Sequence, residues 1–151
     1  MPVIVGYVPT PVGEAALERG IHEASLRGER LVIVNASAGD AAEGDPAIAT
    51  AAAVARVAGQ LENAGIGHEI RQPQRAGSPA DELLRIAAED EASLIVIGLR
   101  RRSPVGKILF GSTAQEVLLN ADCPVVAVKP DRHPRRGGRQ PTMLPNARPS
   151  R

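Results

Sequence analysis

Five short, mostly aliphatic runs alternate with helical patterns along the first 130 residues, and this alternation constrains the fold more than any other feature of the chain. The runs cover residues 3–8, 30–36, 67–72, 94–97 and 125–129. The helical patterns between them cover residues 14–27, 46–64, 78–91 and 112–121. Runs that are apolar at successive positions are typical of parallel strands covered on both faces. The alternation therefore predicts an α/β fold, an open five-stranded parallel sheet with helices on both faces.

Local signals refine two of the helices and one of the strands. Asp45 followed by Pro46 predicts an N-cap with proline at the first helical position. Ser78 with Asp81 three residues later predicts a capping box, in which each side chain accepts a hydrogen bond from a backbone amide of the first turn. The run at 67–72 is polar, so we expect this strand at an edge of the sheet.

Composition excludes several classes of protein. Tyr7 and Phe110 are the only aromatic residues, too few to stack the bases of single-stranded nucleic acid. Cys123 is the only cysteine, which excludes an intramolecular disulfide framework and a cysteine-rich zinc site. Residues 1–130 carry 12 Lys and Arg against 16 Asp and Glu, a net charge of −4. We therefore expect no specific nucleic-acid partner.

The last 21 residues differ in character from the rest of the chain. Residues 131–151 carry six basic residues and one acidic residue, and they are rich in Pro, Gly and Arg without periodicity. This composition predicts one domain over 1–130 followed by a basic, disordered tail. The sequence has no pattern typical of a secretory leader and no apolar run near the roughly 18 residues of a membrane span. We therefore expect a cytoplasmic protein with no membrane partner.

A candidate anion site follows the first and fourth strands. In open parallel sheets, ligands bind beyond the carboxyl ends of the strands where the strand order reverses, which brings residues 7–10 and 98–113 together. Gly98 ends the fourth aliphatic run, and Gly111, Ser112 and Thr113 open the next helix. Free amides at a helix start, two hydroxyl groups and the positive end of the helix dipole favour a phosphate, and we expect that of a nucleotide.

With this arrangement, residues 1–130 resemble the universal stress protein family. The family signature is Gly, two residues, Gly, nine residues, Gly, then Ser or Thr. Here it reads Gly98-Leu99-Arg100-Arg101, nine residues, Gly111-Ser112, and the ending ADCPVVAVK is similar to the family's last strand. The resemblance implies a Rossmann-like fold of the adenine nucleotide alpha hydrolase type with strand order 3-2-1-4-5. It also implies a homodimer, paired through the strand from Val125 to Lys129, that senses or regulates a stress response.

The resemblance further implies a bound ATP, ADP or AMP, with Mg²⁺ as an accompanying ion. The residues that would line the nucleotide are Tyr7, Val8, Ala36, Ile97, Gly98, Arg100, Arg101, Gly111, Ser112 and Thr113. Two of them depart from the family pattern. Val8 stands where nucleotide-binding members usually have Asp, and its side chain accepts no hydrogen bond. Arg101 stands at the second signature glycine, where it brings a charge that could hold phosphate directly.

Two other interpretations remain open. Gly111, Ser112 and Thr113 could open a helix without a ligand, so the chain could be a nucleotide-free dimerising module with Val8 and Arg101 as marks of a lost site. The other is a nucleotidyl- or phosphate-transferring enzyme. The sequence has no nucleophile elbow, P-loop or HExxH motif, and we assign no catalytic residue and no metal ligand. We therefore expect a binding protein rather than an enzyme.

Overall fold

The computed structural model describes residues 1–36, 48–73, 77–100 and 110–129. Its strands are β1 (Val3–Gly6), β2 (Leu31–Val34), β3 (His68–Arg71), β4 (Leu94–Gly98) and β5 (Val125–Val128). Its helices are α1 (Pro11–Arg27), α2 (Ala51–Asn63), α3 (Pro79–Glu89) and α4 (Ser112–Asn120). The strands form one parallel sheet in the order β3-β2-β1-β4-β5. The predicted fold class and strand order are confirmed.

Successive side chains of the central strands point to opposite faces, and each face has its own hydrophobic core. Ile4, Val32 and Ile95 pack with side chains of α3 and α4 on one face. Val5 and Ile33 pack with side chains of α1 and α2 on the other. Because these strands are completely buried on both sides, their aliphatic runs show no alternation with polar residues.

Side-chain caps start three of the four helices described. Thr10 accepts a hydrogen bond from the amide of Gly13 at the start of α1, and Thr50 accepts one from the amide of Ala53 at the start of α2. The predicted capping box at α3 is confirmed, because Ser78 and Asp81 exchange both hydrogen bonds.

Two predicted helix starts are wrong. Helix α1 begins at Pro11, three residues before the predicted start, because Thr10 caps it. Helix α2 begins at Ala51 rather than at 46, and residues 48–50 are not helical. The predicted cap at Asp45 and Pro46 lies outside the described residues, as does the predicted tail at 131–151.

Strand β3 is the edge strand that its polar sequence predicts. Its residues Glu69 and Arg71 pair with each other at 2.6 Å, and both connect to neighbouring elements. Arg30, just before β2, reaches Glu69 at 3.2 Å and Asp90 at 3.3 Å, while Arg71 reaches Asp90 at 3.0 Å. This charged network covers the outer strand, which makes the edge a poor template for another chain.

Candidate functional site

A cavity of about 290 Å³ lies at the carboxyl ends of β1, β2 and β4. The strand order reverses at this point, since β2 and β3 lie on one side of β1, and β4 and β5 lie on the other. Nine of the ten predicted site residues line the cavity, and the tenth, Arg101, lies outside the described residues. The nine are Tyr7, Val8, Ala36, Ile97, Gly98, Arg100, Gly111, Ser112 and Thr113.

The lining of the cavity is divided between apolar and polar residues. Aliphatic groups line the part over β1 and β2, and Leu83 of α3 lies next to Gly6 of β1. Arg100, Ser112 and Thr113 lie at the other end, beside the start of α4. A flat apolar group and an anionic group can therefore be bound at opposite ends of the same cavity.

The start of α4 supplies the polar end with backbone donors. Gly111 is the N-cap, with φ −68° and ψ 163°, and no side chain of the described residues caps this helix. The first amides of a helix have no intrahelical partner, and the helix dipole places partial positive charge there. Ser112 is exposed and Thr113 half-buried, so both hydroxyl groups belong to the accessible first turn. This arrangement suits a phosphate or another anion.

A close contact between α1 and the end of β1 shapes the floor of the cavity. A β-carbon on Gly13 would lie 1.7 Å from the carbonyl oxygen of Val8, which no side chain tolerates. The glycine at position 13 therefore lets the first turn of α1 press directly against the backbone that follows β1. Gly13 and Val12 both line the cavity, although the sequence analysis identified neither.

Tyr7 contributes to the site differently from what its position in the sequence suggests. Its ring packs in the core on the α1 and α2 face, and its hydroxyl donates to Glu14 Oε1 at 2.7 Å. Arg56 of α2 donates to the same hydroxyl at 3.1 Å and also pairs with Glu14. Burial, with the carboxylate of Glu14 next in effect, raises the pKa of Tyr7 to about 12. The phenol thus ties the end of β1 to both helices.

Asn35 is a structural residue of the site that the sequence analysis missed. Its side chain is buried, donates to the carbonyl of Tyr7 at 2.9 Å and accepts from the amide of Ala49 at 2.9 Å. Gln72 bonds both the Asn35 side chain, at 3.2 Å, and the Ala49 carbonyl, at 2.9 Å. The available signal was a single amide at the end of a buried aliphatic run, since a buried amide needs hydrogen-bond partners.

The described residues contain no group of three or more His, Cys, Asp or Glu side chains placed to hold a metal ion.

Cys123 is half-buried, and burial raises the pKa of its thiol, so the thiol is protonated at neutral pH. No helix in the described ranges combines the length and apolarity needed to cross a bilayer.

Comparison with known proteins gives one consistent result. The sequence model of the Universal stress protein family matches residues 1–129. A universal stress protein of Mycolicibacterium smegmatis is 45% identical over 128 residues, covering 85% of this chain and 97% of that protein. The structure of a universal stress protein from Archaeoglobus fulgidus has a TM-score of 0.72 and 31% identity, covering 84% of this chain and 97% of that one. Another from that organism, in complex with dAMP, has a TM-score of 0.67 and 27% identity, covering 84% and 96%.

Proposed function

Because this chain belongs to the universal stress protein family, we propose that it binds an adenine nucleotide in the cavity at the carboxyl ends of β1, β2 and β4. The observation that supports this most is the division of the cavity lining. Its apolar part over β1 and β2 suits a purine base, and its polar end at α4 suits phosphate. The relative from Archaeoglobus fulgidus solved in complex with dAMP supports the same ligand class.

The phosphate end is suited to more than one charge state of the nucleotide. The first amides of α4 and the hydroxyls of Ser112 and Thr113 would bind the first phosphate. Arg100, which is exposed at the rim, would reach a second or third phosphate as a charge-assisted donor, and Arg101 next to it would add a further charge. ATP, ADP and AMP are therefore all proposed ligands. Any Mg²⁺ would arrive bound to the phosphates of ATP.

We also propose that the protein is a cytoplasmic homodimer that acts as a stress-response sensor or regulator. Strand β5 is the other edge of the sheet, and its four residues are half-exposed. Helix α4, which packs against β5, exposes Leu118 and Leu119 at 40% and 82%. An aliphatic edge strand next to exposed leucines supports pairing with a second copy. Nucleotide occupancy would then be reported through the dimer rather than through a reaction.

One observation favours a second candidate, the nucleotide-free dimerising module. Val8 lines the cavity where nucleotide-binding relatives usually have Asp, so a nucleotide would lose one hydrogen-bond acceptor. If the chain binds a nucleotide, this loss lowers its affinity. If the chain is a nucleotide-free module, the cavity stays empty. Direct measurement of binding separates the two.

The test compares stability with and without a large excess of AMP. A ligand present at about 100 times its Kd stabilises the folded state by about 2.7 kcal/mol. We expect this stabilisation in the wild type and not in Gly111→Val, whose side chain would narrow the entrance to the first amides of α4. Among the described residues, a β-carbon on Gly111 meets no atom within 4 Å, so the variant should fold. Gly59→Val on α2 is the matched control and should respond like the wild type, because a β-carbon there also meets no described atom within 4 Å. Equal stabilisation of all three proteins by AMP would contradict binding at the start of α4. Absence of stabilisation in all three would contradict nucleotide binding.

A further inference from the structure

We infer that Asn35 is a positioning residue of the nucleotide site. Its side chain holds the carbonyl of Tyr7 and thereby directs the backbone amide of Val8 into the cavity, where this amide donates a hydrogen bond to the nucleoside part of the ligand. The inference rests on the proposed nucleotide binding and specifies how the site is prepared for its ligand. Asn35 is not among the described residues that line the cavity, so it acts through the residues that follow β1.

The side chain of Asn35 is a buried junction at the end of β2. The residue is 2% exposed, and its Nδ2 donates to the carbonyl of Tyr7 at 2.9 Å. Its Oδ1 accepts from the amide of Ala49 at 2.9 Å and from Gln72 Nε2 at 3.2 Å. An N–H group can bond only the oxygen of a side-chain amide, and a carbonyl can bond only its NH₂ group. These partners therefore fix the orientation of the Asn35 amide.

Both main-chain groups of Tyr7 face β2. Its amide donates to the carbonyl of Val34 at 2.9 Å, which continues the ladder between β1 and β2 by one residue. Its carbonyl accepts from Asn35. The Asn35 side chain lies on the α1 and α2 face of the sheet, because it also bonds Ala49, which belongs to the core on that face. The Tyr7 carbonyl is therefore directed towards β2 and towards the α2 face.

The direction of this carbonyl determines the direction of the next amide. The peptide between Tyr7 and Val8 is trans, and in a planar trans peptide the C=O and N–H bonds point in opposite directions. Strand β1 lies between β2 and β4 in the sheet. The amide of Val8 therefore points away from β2 and α2, towards β4 and the face of the sheet that α3 and α4 cover.

The cavity lies on that same side of β1. Gly98, at the end of β4, lines it, and five of its aliphatic lining residues belong to the core on the α3 and α4 face. These five are Val34, Ala36, Leu83, Ile97 and Ala114. Val8 itself lines the cavity between the apolar part and the anion end at α4. An amide directed into this region meets the nucleoside part of a bound nucleotide, whose ring nitrogens and sugar oxygens are hydrogen-bond acceptors.

A donor that is oriented before the ligand arrives increases affinity, because binding then requires less ordering of the protein. Asn35→Asp tests this effect with little change of shape. The carboxylate keeps an acceptor for Ala49 and Gln72, but it cannot donate to the Tyr7 carbonyl and repels it. The peptide between Tyr7 and Val8 should then turn, and the Val8 amide with it. We expect AMP binding to weaken about tenfold.

The experiment combines calorimetric titration with AMP and hydrogen exchange of the Val8 amide, measured by NMR in the isotope-labelled full chain. In the wild type, saturating AMP should slow exchange of this amide about tenfold or more. In Asn35→Asp, saturating AMP should leave the exchange rate unchanged. Gln72→Ala is the matched control, because it removes a bond to Asn35 Oδ1 and leaves the bond to Tyr7. It should keep the slowed exchange and an AMP affinity within about threefold of the wild type.

The wild type decides the inference even if Asn35→Asp does not fold. Binding of AMP without slower exchange at Val8 would overturn the inference and leave the proposed nucleotide binding intact. Unchanged affinity in a folded Asn35→Asp, or an equal loss in Gln72→Ala, would overturn the positioning role of Asn35. Absence of AMP binding in the wild type would overturn the proposed function and this inference together.

Discussion

Gly98, at the end of β4, packs so closely against Val12 in the first turn of α1 that a β-carbon on Gly98 would lie 2.4 Å from Val12 Cγ1. The same β-carbon would lie 2.7 Å from the carbonyl oxygen of Val12, which cannot rotate away. The first glycine of the signature therefore has a packing role in addition to its place in the cavity lining. It allows α1 to close the floor of the cavity against β4, as Gly13 allows it to close against the end of β1.

This contact predicts a large cost for the smallest possible substitution. Gly98→Ala should reduce the free energy of unfolding by about 1–3 kcal/mol, because either α1 or the end of β4 has to move. Gly59→Ala in the interior of α2 is the control, because in the part of the chain that the structure describes a β-carbon there meets no atom within 4 Å. The control should gain about 0.5–1 kcal/mol from the better helix propensity of alanine. Urea denaturation of both variants measures the change in the free energy of unfolding. An unchanged free energy in Gly98→Ala would contradict a close contact between Gly98 and Val12.

The tyrosine at the end of β1 predicts a dependence of stability on alkaline pH. The pKa of Tyr7 is about 12 in the folded protein against an ordinary value of 10.0. Because the folded pKa lies above the unfolded one, the stabilisation is complete below about pH 10 and is lost as the pH rises towards 12. The shift corresponds to about 2–3 kcal/mol. Tyr7→Phe should remove the part of the pH dependence that falls in this window.

Tyr7 is the only tyrosine and the chain has no tryptophan, so tyrosinate absorbance reports this one residue. Its midpoint should lie well above 10 in the native protein and return to about 10 in denaturant. Identical midpoints in the two conditions would contradict the hydrogen bond to Glu14 and the burial of the ring.

The arginines that follow β4 predict a dependence of affinity on the number of phosphates. If Arg100 or Arg101 pairs with the second or third phosphate, its replacement by Ala should weaken ATP binding about 10- to 100-fold and AMP binding far less. Where Arg101 is the arginine that holds phosphate, Arg101→Gly, which restores the family signature, should also weaken ATP binding. An improvement of ATP binding in Arg101→Gly would instead favour an arginine that obstructs the site. Titrations with ATP and AMP distinguish these outcomes.

The proposed dimer predicts which residue of β5 tolerates proline. The carbonyls of Pro124 and Val128 accept from amides of β4, so Val126 between them also directs its backbone to β4. Ala127 points its amide to the open edge instead. Ala127→Pro should therefore leave the sheet folded but give a monomer by light scattering at tens of micromolar protein. A monomeric wild type, or a dimer that survives this substitution, would contradict pairing through β5.

The sequence predicts the fold well because two signals agree. The aliphatic runs are continuous where strands are buried on both faces, and Ser78 with Asp81 starts α3 by bonds within one turn. The cavity lining is also predictable in part, since Gly98 and Gly111 line the same cavity as Tyr7 and Val8, which follow β1. The capping box joins residues that are close in sequence, and the strands show themselves as continuous aliphatic runs, so both signals can be read locally.

Features that depend on contacts between distant residues could not be predicted in the same way. The predicted cap at Asp45 and the observed cap at Thr50 lie five residues apart, and a tertiary hydrogen bond from the Ala49 amide to Asn35 holds Ala49 outside the helix. The packing role of Gly98 depends on Val12 in the first turn of α1, which only the folded chain brings to it. Both cases show how a local preference is decided by a neighbour that the local sequence does not reveal.

The most direct test of the central proposal is calorimetric titration of the wild-type protein with AMP, ADP and ATP at high protein concentration. The account predicts saturable binding of one nucleotide per chain, with a Kd between about 1 μM and 1 mM, or about −8 to −4 kcal/mol. Absence of binding heat with all three nucleotides, in a protein shown to be folded, would contradict a functional nucleotide site and leave the nucleotide-free dimerising module as the better account.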